Sequence, residues 1–398
     1  MMRRGVLFGG AAAGIFVFGI VMAILGTLFG LPEMRARLGI SLAQQGTVLL
    51  LLYMGILVAS LIAGPGIDTI GNKFILLGSS LLVGGAMVGF VYAHSFATAA
   101  APAFVLGLGG GGLNISANAL VSDLYQERRG AMLNVLGMFY GVGAVCIPLL
   151  AAVIAGHFTI GQLLWICAWL AWVCAMAFAG MQFPEAVEAQ SFSWREALQV
   201  VTYPGVLLIG MLLFCESGNE ASIAGWTSTY AGQAGLGARI ATVVLAVYWG
   251  SLMLGRLLAA YLLGFVRKTQ LVMASAVGAV LGAAVLLATQ STLMLTIGAI
   301  LLGISYAGVF PTVLGIAGDA YPKMAGSVFG LLFAIALVGG MTFPFGMGLI
   351  ANVADVRVGM LVPLFGAMGI CAMAWKIKKG RRKESGIVKK RNSEPVEE

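Results

Sequence analysis

The chain has 398 residues, of which 60% are apolar and only 10% charged, against roughly 25% charged in soluble domains. With a mean hydropathy of +0.99, this composition excludes a soluble enzyme and describes a polytopic membrane protein. The net charge of +8 is no nucleic-acid signature, because the segment from Lys376 onward alone holds nine basic and four acidic residues, the pattern of an anchor at an anionic leaflet.

Each apolar stretch can cross a bilayer, which takes about 20 residues, and helices are expected because lipid offers no partner to open backbone groups. Breaks in hydropathy predict an all-α membrane protein of twelve spans: 6–31, 42–66, 74–93, 97–123, 131–156, 160–183, 204–231, 239–265, 270–289, 291–318, 324–350 and 357–376. The opening MMRRG imitates a secretory signal, but its apolar run extends from Val6 to Gly30, past the about 7–15 residues of a signal core, and reads as the first span. Four segments are expected: a six-helix bundle over 1–183, a cytoplasmic linker over 184–203, a second six-helix bundle over 204–376 and a basic cytoplasmic tail over 377–398. With the amino terminus inside, 18 Lys and Arg residues fall on the cytoplasmic side, four fall outside, and Arg256 lies within a span. The positive-inside bias places both termini in the cytoplasm. Cys146, Cys167, Cys174, Cys215 and Cys371 all fall in apolar segments without paired spacing and read as buried thiols.

The turn after the second span runs from Gly64 through Asp68 and Gly71 to Lys73: glycine, an acid four residues on, a glycine at seven and a base at nine. That spacing resembles the signature loop of the major facilitator superfamily, and twelve spans in paired halves with a long connector resemble it too. The resemblance implies two pseudo-symmetric six-helix bundles around a central cavity. Thr69 departs from the family pattern, which commonly has a base after the acid, and the turn Gly264–Lys268 lacks the acid altogether. Asp68, Lys73, Arg128 and Arg129 are candidate gating residues, as are Asp123 and Asp319 at equivalent helix ends. An Asp68 pair with Arg128 or Arg129 would latch the outward-open state; plain solvation of the loop is the other reading.

In the fourth span, Asn114 and Asn118 stand four residues apart and share a helix face. Buried amides without partners cost about 1–3 kcal/mol, so the pair either bonds neighbouring helices or recognises hydroxyl groups, for which an amide offers a donor and an acceptor. Asn134 and Tyr140 extend this polar set on the fifth span. The seventh span carries Glu216, Asn219 and Glu220. A charge at such depth costs about 2.5–3.5 kcal/mol on insertion scales and is tolerated when it faces a cavity. Two acids one turn apart repel, so one of them holding a proton is favoured. Glu220 and Glu216 are therefore candidates for proton coupling, with a structural pair between Glu216 and Arg256 as the alternative. Arg256 reads as a gate or, alternatively, a substrate contact. Tyr53, Trp226 and Trp249, with Tyr248, are aromatic platforms for a sugar or else packing residues.

The runs GLGGGGLNISANALV and LYQERRGAMLN, then EASIAGWTSTY and the pair Gly255-Arg256, resemble the fucose-permease branch of that superfamily, the sugar:proton symporters. The resemblance implies a monosaccharide substrate and proton, less often sodium, coupling, with Asn118 and Glu220 at the family's polar positions. Asn114 and Gly137 depart from it, standing where relatives often have aspartate and histidine.

The literal GxGxxG match over Gly107–Gly112 has no preceding strand and lies in a span, so it is not a dinucleotide site. His94 and His157 stand apart without ligand spacing. An offset of 196 residues maps Gly107, Asp123, Gly130, Gly143 and Pro148 onto Gly303, Asp319, Gly326, Gly339 and Pro344, the mark of two parallel halves. Asn114 and Asn118 have no amide counterpart: Phe310 and Leu314 stand there. The expectation is a monomeric bacterial inner-membrane secondary transporter, not an enzyme, taking up a sugar-like solute with a coupling ion, H+, and with no cofactor, metal or nucleic acid; its partners are that solute and membrane lipids. Proton-driven export of drugs or metabolites is the rival reading.

Overall fold

The computed structural model describes residues 2–154, 159–184, 202–288 and 291–391. The described residues form helices α1 (Met2–Gly30), α2 (Pro32–Leu38), α3 (Leu42–Val91), α4 (Phe96–Leu124), α5 (Arg129–Ile154) and α6 (Ile160–Gly180) in the first half. The second half contains α7 (Pro204–Gln233), α8 (Ala238–Leu262), α9 (Lys268–Ala288), α10 (Thr292–Ala307), α11 (Val309–Ala320), α12 (Ala325–Val353), α13 (Val356–Gly359) and α14 (Leu361–Arg391), with no strand among the described residues. Most of the expected linker, 185–201 with Arg195, lies outside the described residues, as do His157 and 392–398.

Eleven helical stretches are long and apolar enough to cross a membrane, and they hold twelve spans because α3 is two. Its 50 residues would reach about 75 Å as one rod at 1.5 Å per residue, against a core of about 30 Å. The break is at Gly71, where φ 84 and ψ 162 are accessible essentially only to glycine. Thr69 caps the preceding turn through its hydroxyl, which donates to the carbonyls of Pro65 and Gly66.

Three further features depart from the hydropathy reading. The span expected over 291–318 is broken at Gly308 into α10 and α11. Pro311 lacks the N–H that would reach the Ala307 carbonyl, and its ring crowds that carbonyl. The loop after the first span contains the short helix α2, started by Pro32 and stopped by Gly39 in the left-handed region at φ 58. From it, Arg37 Nη2 donates to the Phe90 carbonyl at 2.8 Å, tying the loop to the end of α3. Finally, α14 continues past residue 376 to Arg391.

Side-chain caps stand where helices enter from the end opposite the termini. Ser41, Ser95 and Thr159 form capping boxes with Gln44, Thr98 and Gln162, and Ser291 caps α10. Each such cap is worth about 1 kcal/mol.

The glycine run of α4 has a packing role. A Cβ on Gly107 or Gly111 would strike the first arm of α3 at Leu52 and Ile56, one on Gly109 or Gly112 would strike the second arm at Ser79, and one on Gly110 would strike Val21 of α1. Three neighbouring helices thus approach the α4 backbone at once, as small residues allow. The repeat holds at this level of contact: Gly107 lies against the Leu52 carbonyl and Gly303 against the Tyr248 carbonyl, both pairs offset by 196, while Gly143 and Gly339 lie against the carbonyls of Phe16 and Phe214.

Candidate functional site

The two halves meet tightly at the end away from the termini. Residues 221–231 of α7 are buried on every face. Gln45 Nε2 donates to Thr229 Oγ1 at 2.9 Å, and that hydroxyl donates to the Phe29 carbonyl at 3.3 Å. Gly26 abuts Ala224, and Gly46 and Gly348 face each other across α3 and α12. Deeper contacts are Tyr53 with Gly340 and Gly141 with Met253. The last is between Tyr140 of α5 and α8: the Tyr140 ring meets Trp249 at 5.9 Å and lies under Arg256, whose Cζ is 5.1 Å from the ring centre. Toward the termini, no hydrogen bond, ion pair or ring contact joins the halves among the described residues. α4 and α10–α11, the equivalent helices of the two halves, make no substantial contact across that space. The space between the halves is closed at one end and parts at the other.

Around the level where the halves part stand Tyr53 and Tyr140, both more than nine-tenths buried, half-buried Glu220 and half-buried Arg256. Glu216 and Glu220 lie within electrostatic reach of each other and of Tyr53, Tyr140, Tyr248 and Arg256. Glu216 and Arg256 form no ion pair, however: the ion pair found among the described residues joins Lys268 Nζ to Asp319 Oδ2 at 2.8 Å. Arg256 is stacked on an aromatic face, a contact worth about 0.5–2 kcal/mol depending on desolvation.

The remaining sequence candidates divide by location. Asn114 and Asn118 are half-buried and bond each other within α4: Asn118 Nδ2 donates to Asn114 Oδ1 at 2.9 Å and to the Asn114 carbonyl at 2.7 Å. Asn134 is exposed one to two turns from Tyr140 on α5. Trp226 is fully buried, and its Nε1 donates to the Pro344 carbonyl at 3.2 Å, so its polar edge is committed within the second half. Trp249 is also fully buried. Asn219 is sealed between α7 and α14, where a Cβ on Gly366 would strike its amide. Glu216 is 1% exposed, and neither of its oxygens has a hydrogen-bond partner. Asp68, Asp123, Arg128, Arg129 and Asp319 are exposed at the end carrying the termini, with Lys73 half-buried there.

At that end each half is tied within itself by a side chain of one turn. Lys268 at the turn before α9 reaches Asp319 and the Gly315 carbonyl of α11. At the equivalent place in the first half, Asn72 accepts a bond from Ser116 Oγ of α4 at 2.8 Å. Asp68 makes no ion pair with Arg128 or Arg129 among the described residues.

One residue at the core of the site is missed by the sequence reading: Tyr306, which like Tyr248 is fully buried with an unbonded hydroxyl. The 196-residue offset holds its signal, since Gly110 occupies the corresponding position of the first half. Among the described residues, no group of three His, Cys, Asp or Glu side chains could hold a metal.

A sequence profile of the Major Facilitator Superfamily matches residues 11–344. Protein TsgA of Salmonella paratyphi B is 23% identical over 253 residues, covering 63% of this chain and 62% of that protein; the match thus spans under two thirds of its relative. Among solved structures, the nucleoside transporter NupG superposes with a TM-score of 0.76 at 12% identity, over 95% of this chain and 99% of the other. A D-xylose-proton symporter superposes with a TM-score of 0.78 at 13% identity, over 94% and 98%. At such identities the superpositions establish the fold, two six-helix bundles of twelve spans.

Proposed function

Because the chain belongs to the Major Facilitator Superfamily, and is thereby an integral membrane transporter rather than an enzyme, we propose that it takes up a monosaccharide or related polyol together with a proton. Alternating access is the mode of transport: the halves rock about a central site near mid-membrane. The charge count over the loops orients the closed end outward, which makes this conformation inward-facing. We place the protein as a monomer in a bacterial inner membrane with both termini in the cytoplasm.

The observation that carries the reading is Glu220. It is half-buried, stands where the halves part, and has no hydrogen-bond or ion-pair partner among the described residues. A carboxylate at this depth marks an ion or substrate path by default. Protonation from the outer side and release inside would give the acid two charge states, one for each half of the cycle. Asn114, Asn118 and Asn134 line the first-half wall and supply amides for hydroxyl groups; Tyr53 and Tyr140 form an aromatic floor, backed by the buried Trp249 against Tyr140. Arg256, stacked on Tyr140, closes that floor. Asn219 and Trp226 stay out of substrate contact in the inward-facing state.

Proteoliposomes given an inward proton gradient should accumulate labelled monosaccharide, and a protonophore should abolish the accumulation. Glu220→Gln should retain exchange while losing concentrative uptake. Accumulation that ignores the protonophore, or a fully concentrative Glu220→Gln protein, would defeat proton coupling at this residue.

A further inference from the structure

One turn before Glu220, where the same stripe of α7 is covered by neighbouring helices, the second half encloses polar atoms that transport at Glu220 does not use. Glu216 is 1% exposed and Asn219 0% exposed, and both oxygens of the first and both polar atoms of the second lack partners. The Tyr306 hydroxyl of α10 adjoins the Asn219 amide and lies within electrostatic reach of Glu216, as does the Tyr248 hydroxyl of α8; neither hydroxyl makes a hydrogen bond of good geometry. Unpaired buried polar groups are rare, and each calls for an explanation such as a bound ion. A buried carboxylate with no partner costs several kcal/mol, and the nearest base, Arg256, is turned onto Tyr140.

The backbone contributes as well. Tyr306 is the penultimate residue of α10, and the helix stops at Ala307 because Pro311 cannot donate to the Ala307 carbonyl. Broken spans of this kind offer free carbonyls at the carboxyl end of a half-helix, which suit small cations. We infer that Glu216, Asn219 and Tyr306, beside the break at Gly308, form a binding site for a single sodium ion inside the second half.

The donor chemistry selects the ion. Carboxylate, amide and hydroxyl oxygens are hard ligands, unlike the thiolate and imidazole sets that hold zinc or copper. One carboxylate balances one positive charge, and a divalent ion would leave a net charge in the apolar interior. A proton on Glu216 would satisfy a single atom and leave the Asn219 oxygen and both tyrosine hydroxyls unpaired, whereas a cation draws several oxygens to itself. Glu220, one turn away and half-buried, marks the route from the space between the halves.

The site goes beyond the uptake reading, and its test needs neither substrate nor gradient, so failure of one leaves the other standing. Purified protein in detergent is unfolded thermally at constant ionic strength in NaCl, KCl or choline chloride, since a ligand bound only by the folded state raises the midpoint. The midpoint should rise and saturate with Na+ and stay flat in choline. Glu216→Gln should lose the Na+ shift. Asn219→Asp, which keeps the side-chain size and adds a charge, should make Ca2+ stabilising where the native protein ignores it, and this reading stands even if Glu216→Gln folds poorly. Equal midpoints in all three salts overturn the site. So does a Na+ shift retained in Glu216→Gln, or stabilisation by acid in place of Na+ that disappears in Glu216→Gln while Glu220, Arg256, Tyr248, Tyr306 and Cys215 are intact.

Discussion

The guanidinium of Arg256 lies 5.1 Å above the ring of Tyr140, joining α8 to α5 as the last contact between the halves before they part. This contact joins the halves at that level without an acid. Tyr140→Phe keeps the aromatic face and should leave the conformational balance unchanged. Tyr140→Leu or Arg256→Gln should weaken this conformation by about 0.5–2 kcal/mol. The shift would be read as greater labelling of an outer-side cysteine by an impermeant maleimide.

The seal at the end away from the termini is made by two glycines in close approach. A Cβ on Gly348 would sit 2.9 Å from Gly46 Cα, and one on Gly46 would sit 3.0 Å from the Pro344 carbonyl oxygen, inside ordinary van der Waals contact. Gly348→Leu should prop the outer end open and raise labelling from outside while reducing it from the cytoplasm. An unchanged labelling pattern would show that the two helices separate without this contact.

The repeat makes a prediction about stability. Gly107→Ala sets a methyl against the Leu52 carbonyl, and Gly303→Ala does the same at Tyr248, where the oxygen is 2.6 Å away. Overpacking of this kind costs about 1–3 kcal/mol, so both variants should lower the thermal midpoint of purified protein. Gly137→Ala, with nothing within 4 Å of the added carbon, is the control and should change the midpoint little.

Asp68 is exposed and unpaired with Arg128 and Arg129 in this conformation. As a latch of the outward-open state, its carboxylate would form that pair only when the inner ends close. Asp68→Asn should then shift accessibility toward the inward-open form, with no loss of thermal stability in the conformation described, where the pair is absent. Labelling identical to the native protein would remove the latch.

The ion pair between Lys268 and Asp319 is half-exposed, with side-chain exposures of 39% and 52%. Such pairs contribute about 0–1 kcal/mol. Asp319→Asn should leave the thermal midpoint nearly unchanged, so a large loss would mean that the tie of α9 to α11 has a role in folding beyond Coulomb attraction.

Most of the architecture is legible residue by residue. Span positions follow from hydropathy because each helix must satisfy its own backbone in lipid, and Ser41, Ser95 and Thr159 mark helix starts by their own side chains. Gly71 also declares itself, since its turn demands a backbone closed to other residues. The break at Gly308 was available in Pro311 yet invisible to hydropathy, because one Gly and one Pro barely lower the average over a span rich in Leu, Ile and Val. Tyr306 becomes visible once the two halves are laid over each other, as a polar residue at the position of Gly110 in the repeat.

By itself the sequence determined the twelve spans, the doubled half and the presence of two acids one turn apart on α7. These are properties of composition and local spacing, which hold wherever the helix is placed. Only tertiary structure decided that Glu216 is sealed within the second half beside Asn219 and Tyr306 while Glu220 stays half-buried where the halves part. It also decided that Arg256 is spent on Tyr140 and not on either acid. Spacing of i and i+4 puts both carboxylates on one helical stripe, but α8, α10 and α14 determine which part of that stripe is covered. Coverage is a property of the neighbours, and the neighbours come from distant parts of the chain.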